Sequence, residues 1–173
     1  MTTDYLLHKE VEHVLAALMP QNRLIIRVIL RTGMRISDVL ELRTDQIKRT
    51  GWYTERKTGK RRRYGLDELL IAEILEQAGP VWAFPGRRSG THKTRQAVWH
   101  DVKRAAAAFR LSANVGTHSF RKAYAVGLME RYGDIERVRR NLNHGNTAIT
   151  AIYAMSDILL QRKLEAKERR RKA

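Results

Sequence analysis

The chain has 173 residues, no cysteine, an apolar fraction of 43% and a formal net charge of +16, with a pI of about 10.8. This length suits one domain with a proper core. The lack of cysteine excludes a disulfide framework and a thiolate metal site, and no apolar run is long enough to span a bilayer. The N-terminal stretch MTTDYLLHKEVEHVL carries no signal-peptide core, so a cytoplasmic protein with no membrane partner is expected. A charge of this sign and size points to a polyanion, nucleic acid first.

Residues 4–19 predict a first helix, with Thr3 or Asp4 as cap and Leu7, Val11, Val14, Leu15 and Leu18 at helical spacing. Pro20 ends it. Asn22 caps a second, mostly buried helix through Arg31, and Gly33 stops that helix. A short third helix follows, with Ser37 as cap and Val39, Leu40 and Leu42 on its apolar face.

The pattern then changes to GWYTERKTGKRRRYGL over 51–66, a β-hairpin turning at Thr58-Gly59 with basic residues Arg56, Lys57, Lys60, Arg61, Arg62 and Arg63. Asp67 caps the helix ELLIAEILEQA, which Gly79 and Pro80 terminate. Val81 to Phe84 are expected to add a third strand to the hairpin. A long helix runs from about Thr94 to Phe109 with Val98, Val102, Ala105 and Phe109 inward. Two further helical patterns meet at Gly133-Asp134, and a tail from Asp157 ends in ERRRKA. The fold class expected is mainly α with a small antiparallel β-sheet.

The stretch from Gly116 to Ala154 carries the chemistry. His118 and Arg121, three residues apart, share a face of a helix that starts near Ser119. His144 ends the next helix, and Tyr153 follows nine residues later. A cation, two imidazoles and a phenol aimed at one point suit attack on a phosphodiester, with tyrosine as nucleophile.

Thr32-Gly33-Met34-Arg35-Ile36-Ser37-Asp38 matches, position by position, the first arginine box of the tyrosine recombinases, or phage integrase family. His118, Arg121, His144 and Tyr153 match that family's second box in identity, order and spacing, and Lys57 in Lys57-Thr58-Gly59-Lys60 is similar to its hairpin lysine. The chain therefore resembles a tyrosine recombinase catalytic domain over about residues 20 to 155. It departs at Asn143, where the family usually has Gly, and at Lys122, where it often has His. Most such recombinases also carry a separate N-terminal DNA-binding domain, so a cut-out catalytic domain or a small member is expected: one domain over 1–173, with a core over 1–156 and a tail helix over 157–173.

The resemblance implies a catalytic set of Arg35, Lys57, His118, Arg121, His144 and Tyr153. The two arginines meet the charge on the non-bridging phosphate oxygens with bidentate forks. Tyr153 forms a 3′-phosphotyrosyl link, with His118 as base in cleavage and acid in the reverse step. Lys57, with Lys60 in reserve, protonates the leaving 5′-oxygen, and His144 donates to a phosphate oxygen. Asp38 orients an arginine or histidine. Arg56, Lys60, Arg61, Arg62, Arg63 and Lys122 contact DNA. No metal or other cofactor is expected, because acids are scattered and the tyrosyl link keeps the bond energy.

The partners expected are double-stranded DNA and further copies of the chain, four protomers on two sites, with the tail packing on a neighbour. The function expected is site-specific strand cleavage and rejoining. The alternatives are a type IB topoisomerase-like or resolvase-like use of the same chemistry, and a basic DNA-binding module that does not cut.

Overall fold

The computed structural model describes residues 3–142. Its elements, in chain order, are α1 (His8–Ala17), α2 (Pro20–Thr32), α3 (Ile36–Leu40), β1 (Thr50–Thr54), β2 (Arg61–Gly65), α4 (Glu68–Gln77), α5 (Arg95–Ala108), α6 (Thr117–Tyr132) and α7 (Ile135–Leu142). Among the described residues the only sheet is the antiparallel pair β1–β2, with Trp52 opposite Arg63 and Tyr53 opposite Arg62. The mainly helical class with a small sheet is therefore as expected. One compact unit runs to Tyr124 and a second begins at Ala125, partway along α6. No described helix is long and apolar enough to cross a membrane.

The first unit is built around α2. Leu24, Ile25, Ile26, Val28 and Ile29 are all buried, each such side chain contributing about 1.5–3 kcal/mol on leaving water. Helices α1, α3 and α4 and strand β2 pack around α2, and α5 packs on α1 and α3. Asp67 caps α4 as expected, its Oδ1 accepting from the Leu70 N–H at 3.0 Å. In the second unit Gly133, at φ 60, ends α6, and Asp134 Oδ1 accepts from the Arg137 N–H at 3.1 Å to open α7.

Several expectations are corrected. Residues 4–7 are not helical. Asp4 instead pairs with Asn114, donating N–H to its carbonyl at 3.0 Å and accepting its N–H at 2.7 Å. Pro20 opens α2 at its first position, where a fixed φ and a missing N–H cost nothing. Asn22 then lies inside the helix, and Ser37 lies inside α3, whose cap position is Arg35.

Residues 81–84 do not join the hairpin. They pair with the chain leaving α3, where Ala83 N–H donates to the Leu42 carbonyl at 3.0 Å and Thr44 N–H to the Val81 carbonyl at 3.1 Å. These backbone groups lie beyond α3 and need partners that the helix cannot supply. Phe109 is 41% exposed and stacks on His13 at 4.6 Å between ring centroids. As the residue just past the last turn of α5, it leaves the inward stripe that Val98, Val102 and Ala105 occupy.

The α2 start is capped from another helix. Buried Asp101, on α5, accepts from Met19 N–H at 2.9 Å and Asn22 Nδ2 at 2.6 Å through Oδ2. Through Oδ1 it accepts from Arg104 Nε at 2.9 Å and Nη2 at 2.6 Å. Burial alone would raise this carboxyl. The bonds from Asn22, Arg104 and Met19 outweigh burial and hold it below the usual aspartate value.

Such a depressed group contributes stability above its unfolded value and loses it as pH falls through its folded value. Asp101→Ala is expected to cost about 2–3 kcal/mol in denaturant unfolding at neutral pH. It should also flatten the loss of stability on acidification below the usual aspartate range. Equal stability of variant and wild type at neutral pH would rule out this capping role.

Candidate active site

The site is assembled at the junction between α2 and α3. Gly33 ends α2 in the left-handed region at φ 68, a conformation that glycine alone adopts without cost. A methyl group there would also overlap the ring of Tyr124. The Gly33 carbonyl accepts a hydrogen bond from Arg121 Nη1. Arg35 follows two residues later, so one turn of backbone presents Arg35 and anchors Arg121.

Arg121 is 2% exposed. Burial, then the neighbouring Arg35 charge, lowers it to about 10, so it remains a cation at neutral pH. His118 lies one helical turn before it, near the start of α6, where the N-terminal helix dipole also favours an anion. Ser119 and Phe120 between them are buried, and Phe120 joins the hydrophobic core. The imidazole of His118 reaches solvent, yet protein atoms crowd it. That crowding, followed by the charges of Arg121, Lys122, Arg35 and Lys57, lowers its pKa below 6.5. It is thus mainly neutral at pH 7 and able to accept a proton.

The hairpin supplies the rest. Lys57 is exposed in the turn between β1 and β2 and lies close enough to influence His118. Asp38 is buried in α3, and burial raises its carboxyl despite opposing neighbours. Its Oδ1 accepts from the Arg56 N–H at 3.1 Å. This hydrogen bond fastens the hairpin turn to α3, and Arg35, by its charge and its backbone, also acts on the Asp38 carboxyl. Arg35, Arg121 and Lys57 place positive charge around the neutral imidazole of His118, a set suited to a phosphate group.

Sequence reasoning missed two buried residues here. Glu55 is fully buried; its Oε1 pairs with Arg35 Nη1 at 3.0 Å and accepts from Arg62 Nη1 at 2.9 Å. Its position carried a signal, since it is the lone acid in the stretch 51–66. Tyr53 is also buried, and burial, ahead of its charged neighbours, pushes its phenol up to about 12. It remains protonated and carried no comparable signal.

The expected DNA contacts divide in two. Arg56, Lys60, Arg61 and Arg63 are exposed; Arg56 pairs with Glu41 at 2.6 Å, and Arg61 lies over Trp52 at 5.0 Å. Arg62 turns inward to Glu55, its side chain 15% exposed, because alternate residues of a strand face opposite sides. Lys122 donates to the Thr3 carbonyl and lies over the Tyr5 ring at 4.3 Å. Both are drawn to protein partners. His144, Tyr153 and the tail from 157 lie outside the described residues. Among the described residues no group of three or more His, Asp or Glu could hold a metal.

A helical unit with this hairpin and two arginines at one junction has the fold of a tyrosine recombinase catalytic domain. The XerA recombinase structure superposes with a TM-score of 0.75 at 17% identity, covering 96% of this chain and 64% of that one. Residues 4–158 match the phage integrase family, and the chain belongs to it. A relative in Bacillus subtilis, named as a probable integrase/recombinase, YoeC, is 32% identical over 130 residues, covering 72% of this chain and 71% of its own length. The tyrosine recombinase XerD of Shewanella oneidensis is 27% identical over 146 residues and 77% of this chain. The chain spans 48% of the length of this XerD and 49% of the length of two other curated relatives.

The charges around His118 set a pH test. In a histidine NMR titration its midpoint is expected below 6.5. Arg35→Gln, by removing a nearby positive charge, should move that midpoint upward. A midpoint at or above the ordinary value, or no upward movement, would contradict the coupling of these groups.

Proposed function

We propose that this chain cleaves and rejoins double-stranded DNA at specific sites through a 3′-phosphotyrosyl intermediate. The observation that carries this reading is the Arg35–Arg121 pair at the Gly33 junction, with His118 and Lys57 within electrostatic reach, in a member of the phage integrase family.

Arg35 and Arg121 hold the non-bridging oxygens of the scissile phosphate and stabilise the charge that gathers there in the transition state. The Tyr153 hydroxyl attacks phosphorus, its proton passing to neutral His118. The bond to the 5′-oxygen breaks as Lys57 supplies that oxygen with a proton. His144 donates to a non-bridging oxygen. Rejoining runs the same transfers in reverse, so no nucleotide triphosphate or metal enters the balance. Arg61 and Arg63, on the outer face of the hairpin, with Arg56 and Lys60 beside the turn, grip backbone phosphates. We read four protomers acting on two sites, the tail from Asp157 packing on a neighbour, in the cytoplasm where the DNA lies.

The direct test uses the full chain and a nicked duplex carrying the site recovered by sequencing DNA that the protein binds. Wild type is expected to form a covalent adduct, and Tyr153→Phe to form none while binding DNA nearly as well. An adduct that persists in the variant would reject the nucleophile.

Lys57→Ala should slow cleavage far more than Lys60→Ala on ordinary DNA. A substrate with sulfur at the 5′-bridging position, whose leaving group needs no proton, should restore the Lys57→Ala rate. Equal defects in the two variants, or no restoration, would reject Lys57 as the proton donor.

A further inference from the structure

We propose that Glu55 is a positioning residue that ties the Arg35 guanidinium to the hairpin turn carrying Lys57, and that Arg62 is its internal counter-charge. The kinetic part rests on the strand-transfer reading above; the structural part stands without it.

Glu55 reaches in two directions, pairing with Arg35 by charge alone and hydrogen-bonding to Arg62 and Thr58. Its carboxylate Oε1 is shared between Arg35 Nη1 at 3.0 Å and Arg62 Nη1 at 2.9 Å, while Oε2 accepts from the Thr58 hydroxyl at 2.7 Å. Its backbone closes the same turn: its N–H donates to the Lys60 carbonyl at 2.9 Å, and its carbonyl accepts from the N–H groups of Thr58 at 3.3 Å and Gly59 at 2.8 Å. One residue thus clasps both ends of the loop that presents Lys57 and also holds the arginine that would face phosphate.

Removal from water strengthens this clasp. The carboxylate has 0% exposure, and the side chains of Arg35 and Arg62 are 20% and 15% exposed, so solvent screens the pairs weakly. A buried charge that loses its partner is strongly disfavoured. Arg35 is therefore held beside the hairpin turn by charge pairing before a phosphate arrives. The geometry also separates Arg62 from its neighbours, because Arg61 and Arg63 face outward on the same strand.

The test uses the full chain with Glu55→Gln, close in shape but uncharged, and Glu55→Asp, which keeps the charge on a shorter arm. Hydrogen exchange of free protein is expected to rise at least tenfold at the Glu55 and Gly59 amides in Glu55→Gln, with α2 amides unchanged. Unchanged exchange at the turn would overturn the clasp whether or not the protein cuts DNA.

On the nicked duplex described above, Glu55→Gln should lower single-turnover cleavage at saturating protein at least tenfold while Kd stays within threefold. Glu55→Asp should recover part of that rate. A normal rate, or a loss confined to Kd, would overturn the positioning role. Failure of wild type to cut would instead reject the strand-transfer reading and leave the exchange result to decide the clasp.

Arg62 has its own readout. Arg61→Gln and Arg63→Gln should each reduce the slope of log affinity against log salt by about 0.9, the loss of one phosphate contact. Arg62→Gln should leave the slope unchanged and raise turn exchange as Glu55→Gln does. A slope loss in Arg62→Gln equal to that of its neighbours would overturn the internal assignment.

Discussion

A cluster of cations has to be folded before it meets its anion, and the Glu55 carboxylate makes that possible here. Arg35, Arg62 and Arg121 lie close enough to affect one another, and Arg121 feels both of the others as repulsion. Glu55 opposes that repulsion: it pairs with Arg35 and Arg62 and its charge favours the cationic form of Arg121. Burial makes each of these terms larger than it would be on a surface. Lys57 stands outside the pairs and Arg121 keeps its charge, so positive potential remains where a phosphate would lie.

The backbone at Gly33 sets the second constraint. A helix end leaves carbonyls without partners, and this one gives the Gly33 carbonyl to Arg121. The left-handed turn that frees it also sends the chain to Arg35. The Tyr124 ring closes over the Gly33 α-carbon, so a side chain would meet both strain and a filled space. Helix termination, arginine anchoring and aromatic packing thus converge on one residue, which accounts for glycine here more fully than its turn propensity does.

Features governed by neighbours in sequence were legible in advance. Asp67 capping α4, Gly33 ending α2 and the turn at Thr58-Gly59 all follow from local chemistry. The features that were not legible depend on distant partners. The cap of α2 comes from Asp101, 79 residues beyond Asn22, and no local pattern announces it. Pro20 lies just past the end of α1 and also opens α2, because proline both ends and begins helices, and Asp101 caps Met19 N–H at that start. The inward turn of Arg62 needed knowledge of where Glu55 sits, and that of Lys122 needed Thr3 and Tyr5 beside it. For the described part of the site, the motifs grouped Arg35, Lys57, His118 and Arg121, which lie within electrostatic reach of one another. It did not indicate what holds Arg35 and Arg121 in place, since a backbone carbonyl and a lone acid belong to no box.

The hairpin shows why charge totals are a poor guide to contacts. Its consecutive Arg61, Arg62 and Arg63 look alike in sequence, yet strand alternation sends the middle one to a buried carboxylate and the outer two to solvent. The turn divides in the same way. Arg56 is fixed through its N–H to Asp38 and through its guanidinium to Glu41, and Glu55 is fixed by two arginines and the turn backbone. Lys57 follows directly and is exposed. Its backbone root is thus held from α3 and from the core, while its four-carbon stem keeps the rotamer freedom of a solvated lysine. In the proposed reaction a proton donor must approach a leaving oxygen and then withdraw, and a fixed root with a mobile tip would let Lys57 do both without moving Arg35 and Arg121.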